Sequence, residues 1–403
     1  MAVNLMPPSE LLPIAGMRLA AVAAGIRYRE RPDLAVIEAS RGSRVAAVFT
    51  RNAFCAAPII IARRHLAACA PRYLLINAGN ANAGTGAPGL EDALTACEAL
   101  ATRTGCRRDE VLPFSTGVIG ERLPVARLTD AIPTALAGLA PDGWVRAAAA
   151  IMTTDTVIKG ASREAAIAGR RIAITGIAKG AGMIRPDMAT MLAFIATDAG
   201  ISKPTLDAML RSAIDASFNC ITVDGDTSTN DACVLTATGK SGVDVDTDSA
   251  CAQFQAALNE VAIELAQAIV RDGEGATKFI TVEIRGAASA DEARRTAFTI
   301  AHSPLVKTAF FASDPNWGRI LAAVGRAGIE RLVVERVEVF LDDLCVARQG
   351  AVADDYIEAA GRQVMRQLEI AVTVNLHRGR ETLRVWTSDL SYDYVRINAE
   401  YRS

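Results

Sequence analysis

The residues best suited to chemistry lie in the segment 179–198, which reads KGAGMIRPDMATMLAFIATD. Its glycines precede the dipeptide Ala189–Thr190, and a strongly apolar run follows Thr190. Because glycine permits backbone conformations that other residues avoid, the peptide bond ahead of a hydroxyl residue can be strained here. Such strain promotes an N-to-O acyl shift onto the hydroxyl. The segment is therefore a candidate for self-cleavage between Ala189 and Thr190.

Cleavage at this bond would give Thr190 a free α-amine beside its own hydroxyl. The reference pKa of an α-amine is about 8, so a useful fraction is neutral at physiological pH. The neutral amine can accept the hydroxyl proton, which activates the threonine as a nucleophile. The alternative is a buried strand over residues 191–197 with a threonine at its head and no chemistry. The residue pattern alone favours this alternative.

Other polar positions could serve an acyl transfer. Thr116 and Gly117 follow a predicted strand, where a hydroxyl and a backbone N–H could form an oxyanion hole or simply a turn. Thr153 belongs to a group of hydroxyls and one carboxylate at a predicted helix end, which could bind a substrate or cap the helix. Glu274 lies at a helix-to-strand junction, where its carboxylate could face a cleft or water.

Two polar segments are less specific. The small-residue loop 77–86 could cradle a ligand with its backbone amides, although a surface turn is the simpler interpretation. Asp224, Asp226 and Asn230 have the spacing of some calcium ligands, but the closing Glu of an EF-hand is missing. We expect a polar loop between a helix and a strand there.

Composition excludes several classes of function. The 403-residue chain is 51% hydrophobic and 5% aromatic, with a formal net charge of −2. This charge gives no electrostatic case for binding nucleic acid or an anionic membrane. No uncharged apolar stretch reaches the roughly 18 residues that a transmembrane helix needs. Because no basic segment precedes the apolar residues 11–26, we expect no signal peptide either.

Cysteine and histidine usage bears on metals and on compartment. The eight cysteines form no CxxC pair, and three histidines are too few to complete a plausible zinc site. The sequence therefore predicts no metal. Scattered free thiols are typical of a reducing cytoplasm, where we expect the protein to reside.

Strand and helix patterns are mixed along the whole chain. Hairpins are predicted at residues 34–50, at 163–175 around Gly169, and at 370–386 around Gly379. Asp314 and Pro315 have the residue types of a helix N-cap and first helical position. The mixture predicts a layered α/β or α+β fold. The C-terminal tail from residue 394 stays apolar-patterned, so we expect it to pack, either on this chain or on a partner subunit.

Several short motifs together resemble the ornithine acetyltransferase family, which forms N-acetylglutamate in the cyclic arginine route. They occur in family order along essentially the whole chain. They are Asn77–Asn82, Ser115–Gly120, Ile151–Thr156, Lys179–Met183 with Met188–Leu192, Asp314–Arg319 and Tyr394–Tyr401. Each motif alone is weak, but the combination is specific. The resemblance reverses the preference for an inert strand at Thr190.

The resemblance implies a layered N-terminal-nucleophile-like fold of the ornithine acetyltransferase and DmpA type. It implies a precursor that cuts itself into an α chain, residues 1–189, and a β chain, residues 190–403. The two chains would stay associated as α2β2 or a larger assembly. The implied reaction is ping-pong: N2-acetyl-L-ornithine acetylates Thr190, and L-glutamate then takes the acetyl group. No cofactor is implied, although some members also accept acetyl-CoA as the acetyl donor.

The family roles carry over residue by residue. Thr116 and Gly117 match the oxyanion hole, and Thr190 matches the nucleophile. The substrate-binding positions match Thr153, Lys179, Thr190, Glu274, Asn398 and Ser403. Lys179 and chain-end amides can hold a carboxylate, while Glu274 can pair with an amino group. Ser403 stands where threonine is common in the family.

Two other functions use the same residues differently. A self-cleaving aminopeptidase or amidohydrolase would use the Thr190 nucleophile with water as the acceptor. A non-catalytic binding protein would leave Thr190 as an ordinary strand residue. Release of acetate without acetylglutamate would indicate the first, and an uncut chain would indicate the second.

Overall fold

A computed structural model describes residues 2–167, 169–185 and 191–400. Ala189, Thr190 and Ser403 lie outside these ranges.

Strands and helices are mixed throughout the described ranges. The strands are β1 (Met17–Val22), β2 (Leu34–Ala39), β3 (Arg44–Phe49), β4 (Tyr73–Asn80), β5 (Val111–Val118), β6 (Lys159–Ile167), β7 (Arg170–Lys179), β8 (Leu192–Thr197), β9 (Ile221–Thr222), β10 (Ala232–Ala237), β11 (Phe279–Ala287), β12 (Glu338–Leu341), β13 (Leu344–Arg348), β14 (Ala351–Val352), β15 (Glu369–Asn375) and β16 (Glu381–Ser388). The helices are α1 (Ala57–Ala68), α2 (Gly86–Thr104), α3 (Val125–Ala137), α4 (Trp144–Ala150), α5 (Lys203–Ala216), α6 (Asp248–Arg271), α7 (Ala290–Ala301), α8 (Pro304–Phe311), α9 (Trp317–Gly325), α10 (Glu358–Met365) and α11 (Tyr392–Glu400). This mixture confirms the predicted α/β class.

The chain divides into two compact units. The larger unit contains the described residues from 6 to 219 together with residues 226–269. The smaller unit contains residues 2–5, Cys220–Gly225 and residues 270–400. The strands of the larger unit form two sheets, ordered β1-β2-β4-β5 and β3-β10-β8-β7-β6, and the smaller unit has one sheet ordered β14-β13-β12-β15-β11-β16-β9.

The two sheets of the larger unit share one apolar core. Ile37, Ile76 and Phe114 of the first sheet pack in the same cluster as Phe194 and Val234 of the second. The rings of Phe114 and Phe194 meet edge to face, with centroids 5.2 Å apart. Such aromatic pairs contribute about 0.5–1.5 kcal/mol beyond the apolar area that they bury.

Helices cover the outer faces of the larger unit. Apolar side chains of α2 and α3, including Leu100 and Ile132, pack in one cluster with strands β2, β4 and β5. Helix α5 contacts β3 and β10. Gly176 of β7 lets α6 approach closely, because a Cβ there would lie 2.9 Å from the Leu265 side chain. The larger unit is therefore layered, as the sequence predicts.

The smaller unit buries one face of its sheet under helices. Helix α7 contacts β11 and β16, and it also contacts α8 and α9. Its core contains Ile300 of α7 together with Ile284, Val374 and Val385 from the sheet.

One predicted hairpin is confirmed and two are wrong. Strands β6 and β7 pair antiparallel around Gly169, whose φ of +74° suits a tight turn. The pair at residues 34–50 is not a hairpin, because β2 is already paired on both edges by β1 and β4, so β3 joins the other sheet beside β10. The pair at 370–386 fails for the same reason, since β11 lies between β15 and β16.

The C-terminal tail and the α9 cap also differ from the expectations. None of the residues of α11 is buried, and the side chains of Tyr392 and Val395 are 82% and 63% exposed. The described part of the tail is thus only partly covered by this chain, through contacts such as the hydrogen bond from Asn398 to Glu274, and packing on a partner stays a prediction. The N-cap of α9 is Asn316 and not Asp314, since the Asn316 side chain accepts the Arg319 backbone N–H. No helix of the described ranges is both long and apolar enough to cross a membrane.

The cap of α9 is testable by substitution. Asn316 Oδ1 accepts a hydrogen bond from the Arg319 backbone nitrogen at 3.3 Å, whereas Asp314 accepts one from the Asn316 side chain. Asn316→Ala should lower the free energy of unfolding by about 1 kcal/mol, the usual cost of a lost N-cap. The matched variant Asp314→Ala should cost less, as measured by chemical denaturation. A larger loss for the Asp314 variant would contradict this assignment.

Candidate active site

The backbone at Gly117 is held in a conformation that excludes other residues. Thr116 and Gly117 lie in β5 opposite Ala78 and Gly79 of β4, and the pairing becomes irregular at Asn80. Gly117 has a φ of +128°, and a Cβ there would lie 2.3 Å from the Gly79 carbonyl carbon. Glycine is therefore required both by its φ and by the close approach of β4. Where the pairing of β4 with β5 becomes irregular, a threonine hydroxyl and a neighbouring backbone N–H can point at the same place, as the two donors of an oxyanion hole must.

Asparagine side chains brace this segment from the β4 side. The Ser115 hydroxyl donates to Asn77 Oδ1 at 2.6 Å, and Asn77 Nδ2 donates to the Asn80 carbonyl at 2.9 Å. Asn80 Nδ2 in turn donates to the carbonyls of Glu121 and Arg122. The sequence predicts a loop at residues 77–86, but Asn77 and Asn80 belong to β4 and are buried. Buried amides need hydrogen-bond partners within the protein, and these two find them in backbone carbonyls and in the Ser115 hydroxyl.

Asn230 also braces this segment and is a residue that sequence reasoning missed. Its Nδ2 atom donates to the Ala81 carbonyl at 2.6 Å and to the Ser115 carbonyl at 2.9 Å. It thus holds the peptide group that immediately precedes Thr116. The available signal was an amide side chain just before a predicted buried strand, where polar residues of neighbouring strands meet.

A buried ion pair lies near the end of β7. Lys159 Nζ donates to Asp155 Oδ1 at 2.6 Å, and both side chains are fully buried. The same oxygen accepts the Gly180 backbone N–H at 2.7 Å, and Asp155 Oδ2 accepts the Thr153 backbone N–H at 3.0 Å. Asp155 therefore connects the start of the glycine-rich segment with Thr153.

Electrostatics at Asp155 favour the ionised carboxylate. Burial alone would raise the pKa of Asp155, but the positive charges of Lys159 and Lys179 outweigh it and hold the pKa below the ordinary value. Hydrogen bonds from Lys159 and Gly180 act in the same direction. Lys179, which pairs with Leu192 across β7 and β8, thus stands in the field of a fixed negative charge.

Thr153 is half-buried in the loop after α4. Its carbonyl accepts a hydrogen bond from Arg31 Nη2 at 3.3 Å, as does the carbonyl of Met152 at 3.2 Å. The backbone of this loop is therefore anchored at both its N–H and its carbonyl groups, which is the support that a binding side chain needs.

In the smaller unit, Glu274 and Asn398 meet. Asn398 Nδ2 donates to Glu274 Oε2 at 2.8 Å and to the Tyr394 carbonyl at 3.0 Å. Glu274 is buried in the junction between α6 and β11, so the carboxylate faces neither bulk water nor a helix cap. A buried carboxylate oriented by an amide is suited to bind an ammonium group.

The structure thus pairs Glu274 with Asn398, and Asp155 links Thr153 with Gly180, the neighbour of Lys179. Thr190 and Ser403, together with the cleavage residue Ala189, lie outside the described ranges. Among the residues that are described, no cluster of three His, Cys, Asp or Glu side chains could hold a metal ion.

The chain is similar to proteins of one family along almost its whole length. The ArgJ family model matches residues 18–403. The arginine biosynthesis bifunctional protein ArgJ of Methylococcus capsulatus is 59% identical over 395 residues, which are 98% of this chain and 97% of that protein. The protein of the same name from Psychrobacter arcticus is 53% identical over 403 residues, 99% of each chain. The crystal structure of ArgJ from Bacillus halodurans is 40% identical, covers 51% of this chain and 96% of that chain, and has a TM-score of 0.49.

The Asp155–Lys159 pair makes a prediction about stability. Asp155→Asn leaves the Lys159 ammonium buried without its counter-charge, and breaking a buried pair in this way typically costs about 3–5 kcal/mol. Chemical denaturation should show a loss of this size. The control Asp142→Asn, which removes the exposed Asp142–Arg146 pair, should leave the unfolding free energy nearly unchanged.

The pH dependence of that loss follows from the lowered pKa. A carboxyl whose pKa is depressed by folding contributes its full stability above the unfolded pKa of about 3.9 and loses it as the pH falls toward the folded value. The difference between wild type and Asp155→Asn should therefore be constant from about pH 5 to pH 8 and shrink below about pH 4. A difference that grows on acidification would contradict the assignment.

Proposed function

Because the chain belongs to the ArgJ family, we propose that it is the glutamate N-acetyltransferase that moves the acetyl group of N2-acetyl-L-ornithine to L-glutamate. The enzyme is an acyltransferase. The observation that carries the proposal is the 59% identity, over 98% of the chain, to a protein named for a bifunctional role in arginine biosynthesis. In this proposal the product of the second half-reaction is N-acetyl-L-glutamate.

The proposed enzyme matures by cutting its own backbone. The Thr190 hydroxyl attacks the carbonyl of Ala189, the acyl group shifts from nitrogen to oxygen, and water hydrolyses the resulting ester. This frees a carboxylate on Ala189 and an α-amine on Thr190. The α chain is then 1–189 and the β chain is 190–403. The glycine-rich segment after Lys179 supports this step, because Gly180 has a φ of +150°.

Acylation uses the new amine as the base. As the Thr190 oxygen attacks the acetyl carbonyl of N2-acetylornithine, its proton passes to the amine. The tetrahedral intermediate collapses by breaking the C–N bond, and the same proton passes to the leaving ornithine nitrogen. Glutamate then attacks the acetyl-threonine ester through its neutral amine, and the steps run in reverse.

Thr116 and Gly117 would stabilise the oxyanion of each tetrahedral intermediate. A single donor of this kind is worth about 3–4 kcal/mol in acyl transfer. Support comes from the rigid setting of both residues, because the asparagine hydrogen bonds on either side leave little freedom to the peptide before Thr116. Preorganised donors of this kind need no rearrangement when the charge develops.

The proposed binding residues fall into two groups, one for the negative and one for the positive group of the substrate. Lys179, together with Thr153, would hold the α-carboxylate shared by ornithine and glutamate. Glu274, oriented by Asn398, would bind the side-chain ammonium of ornithine, and Ser403 would add a chain-end contact. No metal or other cofactor takes part in this mechanism.

The proposed assembly is an α2β2 or larger complex of the cleaved chains in the cytoplasm, acting on small molecules and on neither nucleic acid nor membrane. Acetyl-CoA is the second acetyl donor to test. A steady-state assay with acetyl-CoA and glutamate tests this. Formation of N-acetylglutamate from acetyl-CoA would indicate an enzyme that also makes the first acetylated compound of the route, and no such formation would indicate an enzyme that only recycles the acetyl group.

The nucleophile assignment predicts the behaviour of Thr190 variants. Thr190→Ala should remain a single 403-residue chain and transfer no acetyl group, because it lacks the attacking hydroxyl. Thr190→Ser keeps a hydroxyl and should still be cut and active. Intact mass and an assay for acetylglutamate measure both properties. Wild-type turnover in the alanine variant would disprove the assignment, and acetate release without acetylglutamate would favour a hydrolase.

The binding role of Glu274 predicts a change in KM. Glu274→Gln removes the charge that would pair with the ornithine ammonium, and a hydrogen bond to a charged group is worth about 1.5–3 kcal/mol. KM for N2-acetylornithine should therefore rise by roughly 10-fold to 100-fold. Glu369→Gln, which breaks an ion pair with Arg271 in the same unit, is the control and should leave KM unchanged. An equal effect in both variants would indicate a general disturbance of that unit.

A further inference from the structure

The segment that carries Glu274 touches helix α11 at two points. Asn398 Nδ2 donates to Glu274 Oε2 at 2.8 Å. At the next residue, Gly275, a Cβ would lie 2.4 Å from the Tyr394 backbone nitrogen, so glycine lets the first turn of the helix approach the chain closely. Tyr394 and Asn398 lie about one helical turn apart. Two neighbouring residues therefore contact α11 on successive turns.

A single hydroxyl connects these two elements. Ser391 Oγ donates to the Gly275 carbonyl at 2.6 Å and accepts the Tyr394 backbone N–H at 3.3 Å. The second bond is that of a helix N-cap, since Ser391 directly precedes α11. The residue is 5% exposed, so bulk water does not compete for either bond. Ser391 thus links the start of α11 to the residue next to Glu274.

The chain just before Ser391 is held by other bonds. Asp389 Oδ1 accepts the Thr277 backbone N–H at 2.8 Å, and the Ser388 carbonyl accepts a hydrogen bond from the buried ammonium group of Lys307. These contacts fix the end of β16 beside the start of β11 without the Ser391 hydroxyl. Loss of that hydroxyl should therefore displace α11, which has no buried residue of its own, and leave the strands in place.

We propose that Ser391 is a positioning residue for Glu274: its hydroxyl holds the first turn of α11 against Gly275, so that Asn398 reaches the Glu274 carboxylate and orients it for a ligand ammonium group. This inference rests on the proposed function, from which it takes the binding of the ornithine ammonium by Glu274. Its consequence is selectivity. A carboxylate held in one orientation binds a correctly placed positive charge more tightly than a carboxylate that must first be ordered.

Two ligands that differ only in this ammonium group measure the selectivity. N2-acetyl-L-norvaline has the carbon skeleton of N2-acetyl-L-ornithine but no side-chain amine. The preference is defined as the inhibition constant of N2-acetylnorvaline, measured in competition with N2-acetylornithine, divided by KM for N2-acetylornithine. Both constants are independent of the amount of folded and cleaved enzyme, so a loss of stability alone leaves the preference unchanged.

Ser391→Ala should lower this preference by about 3-fold to 10-fold through a higher KM for N2-acetylornithine, while kcat per cleaved chain changes less than about twofold. The expected effect is smaller than that of Glu274→Gln, because the carboxylate remains and only its orientation is lost. Ser391→Thr keeps a hydroxyl and should restore the preference.

The matched control is Ser289→Ala. Ser289 is the N-cap of α7 in the same unit, and its side chain accepts the Glu292 backbone N–H at 3.1 Å. It caps a helix as Ser391 does, but that helix does not carry Asn398. The control should lose thermal stability and keep the wild-type preference. An equal fall in preference in both alanine variants would show that the loss of any cap in this unit suffices, and it would overturn the inference.

Other results are decisive as well. A wild-type preference in Ser391→Ala would overturn the inference. If the alanine variant does not fold or is not cleaved, Ser391→Gly decides, because glycine at an N-cap costs little stability but provides no hydroxyl. A lowered preference in that variant supports the inference, and a wild-type preference overturns it. The proposed function fails separately: a wild-type protein that transfers no acetyl group, or a Glu274→Gln variant with the wild-type preference, would refute the role of Glu274 itself.

Discussion

The burial of β8 is the constraint on which the rest of the larger unit depends. Each residue from Leu192 to Thr197 is buried, and β7 and β10 pair with the strand on its two edges. Backbone groups in such a strand must keep their partners, so the strand cannot slide without losing several hydrogen bonds. The chain therefore has to enter the sheet at one point, next to Lys179 on one side and Asp231 on the other.

Charges held in a buried sheet act strongly because little water screens them. Asp155 forms a buried ion pair with Lys159, and its pKa lies below the ordinary value, whereas burial raises the pKa of Asp231. The pKa values of these two carboxyl groups are shifted in opposite directions although both groups are buried, and the difference arises from their partners. Asp155 accepts several hydrogen bonds and faces two lysines, whereas one oxygen of Asp231 lacks any partner in the described chain. The same physics separates a structural carboxylate from one available for proton transfer.

Local sequence patterns predict whether a segment forms a helix or a strand better than they predict which strands pair with one another. The Gly169 hairpin and the mixed α/β class follow from turn chemistry and hydrophobic periodicity, and both are confirmed. The false hairpins at residues 34–50 and 370–386 have sound turn signals, but β2 and β11 are central strands, and pairing across a sheet is decided by tertiary contacts. The α9 cap was misplaced because Asp314 and Asn316 are both good capping residues, and only the backbone geometry selects Asn316.

The candidate site was predictable only in part for a related reason. Two features could be predicted from residue types alone. They are the threonine that follows the glycine-rich segment and the Thr-Gly pair that follows a predicted strand. Glu274 and Asn398 stand 124 positions apart, so their hydrogen bond could come from the family resemblance but not from spacing. Asn230 and Asp231 resemble any polar loop until the sheet places them beside Ser115 and Met191. The roles of Thr190, Ser403 and the other predicted site residues stay predictions.

The most direct test of the account is the mass of enzyme that is quenched during reaction with N2-acetylornithine in the absence of glutamate. We expect two chains, with the chain that begins at Thr190 heavier by one acetyl group and the added mass located on its first residue. Addition of glutamate before quenching should remove that mass. A fully active preparation that consists of one uncut chain, or that carries the acetyl group at another residue, would contradict the central claim that scission creates the nucleophile's base.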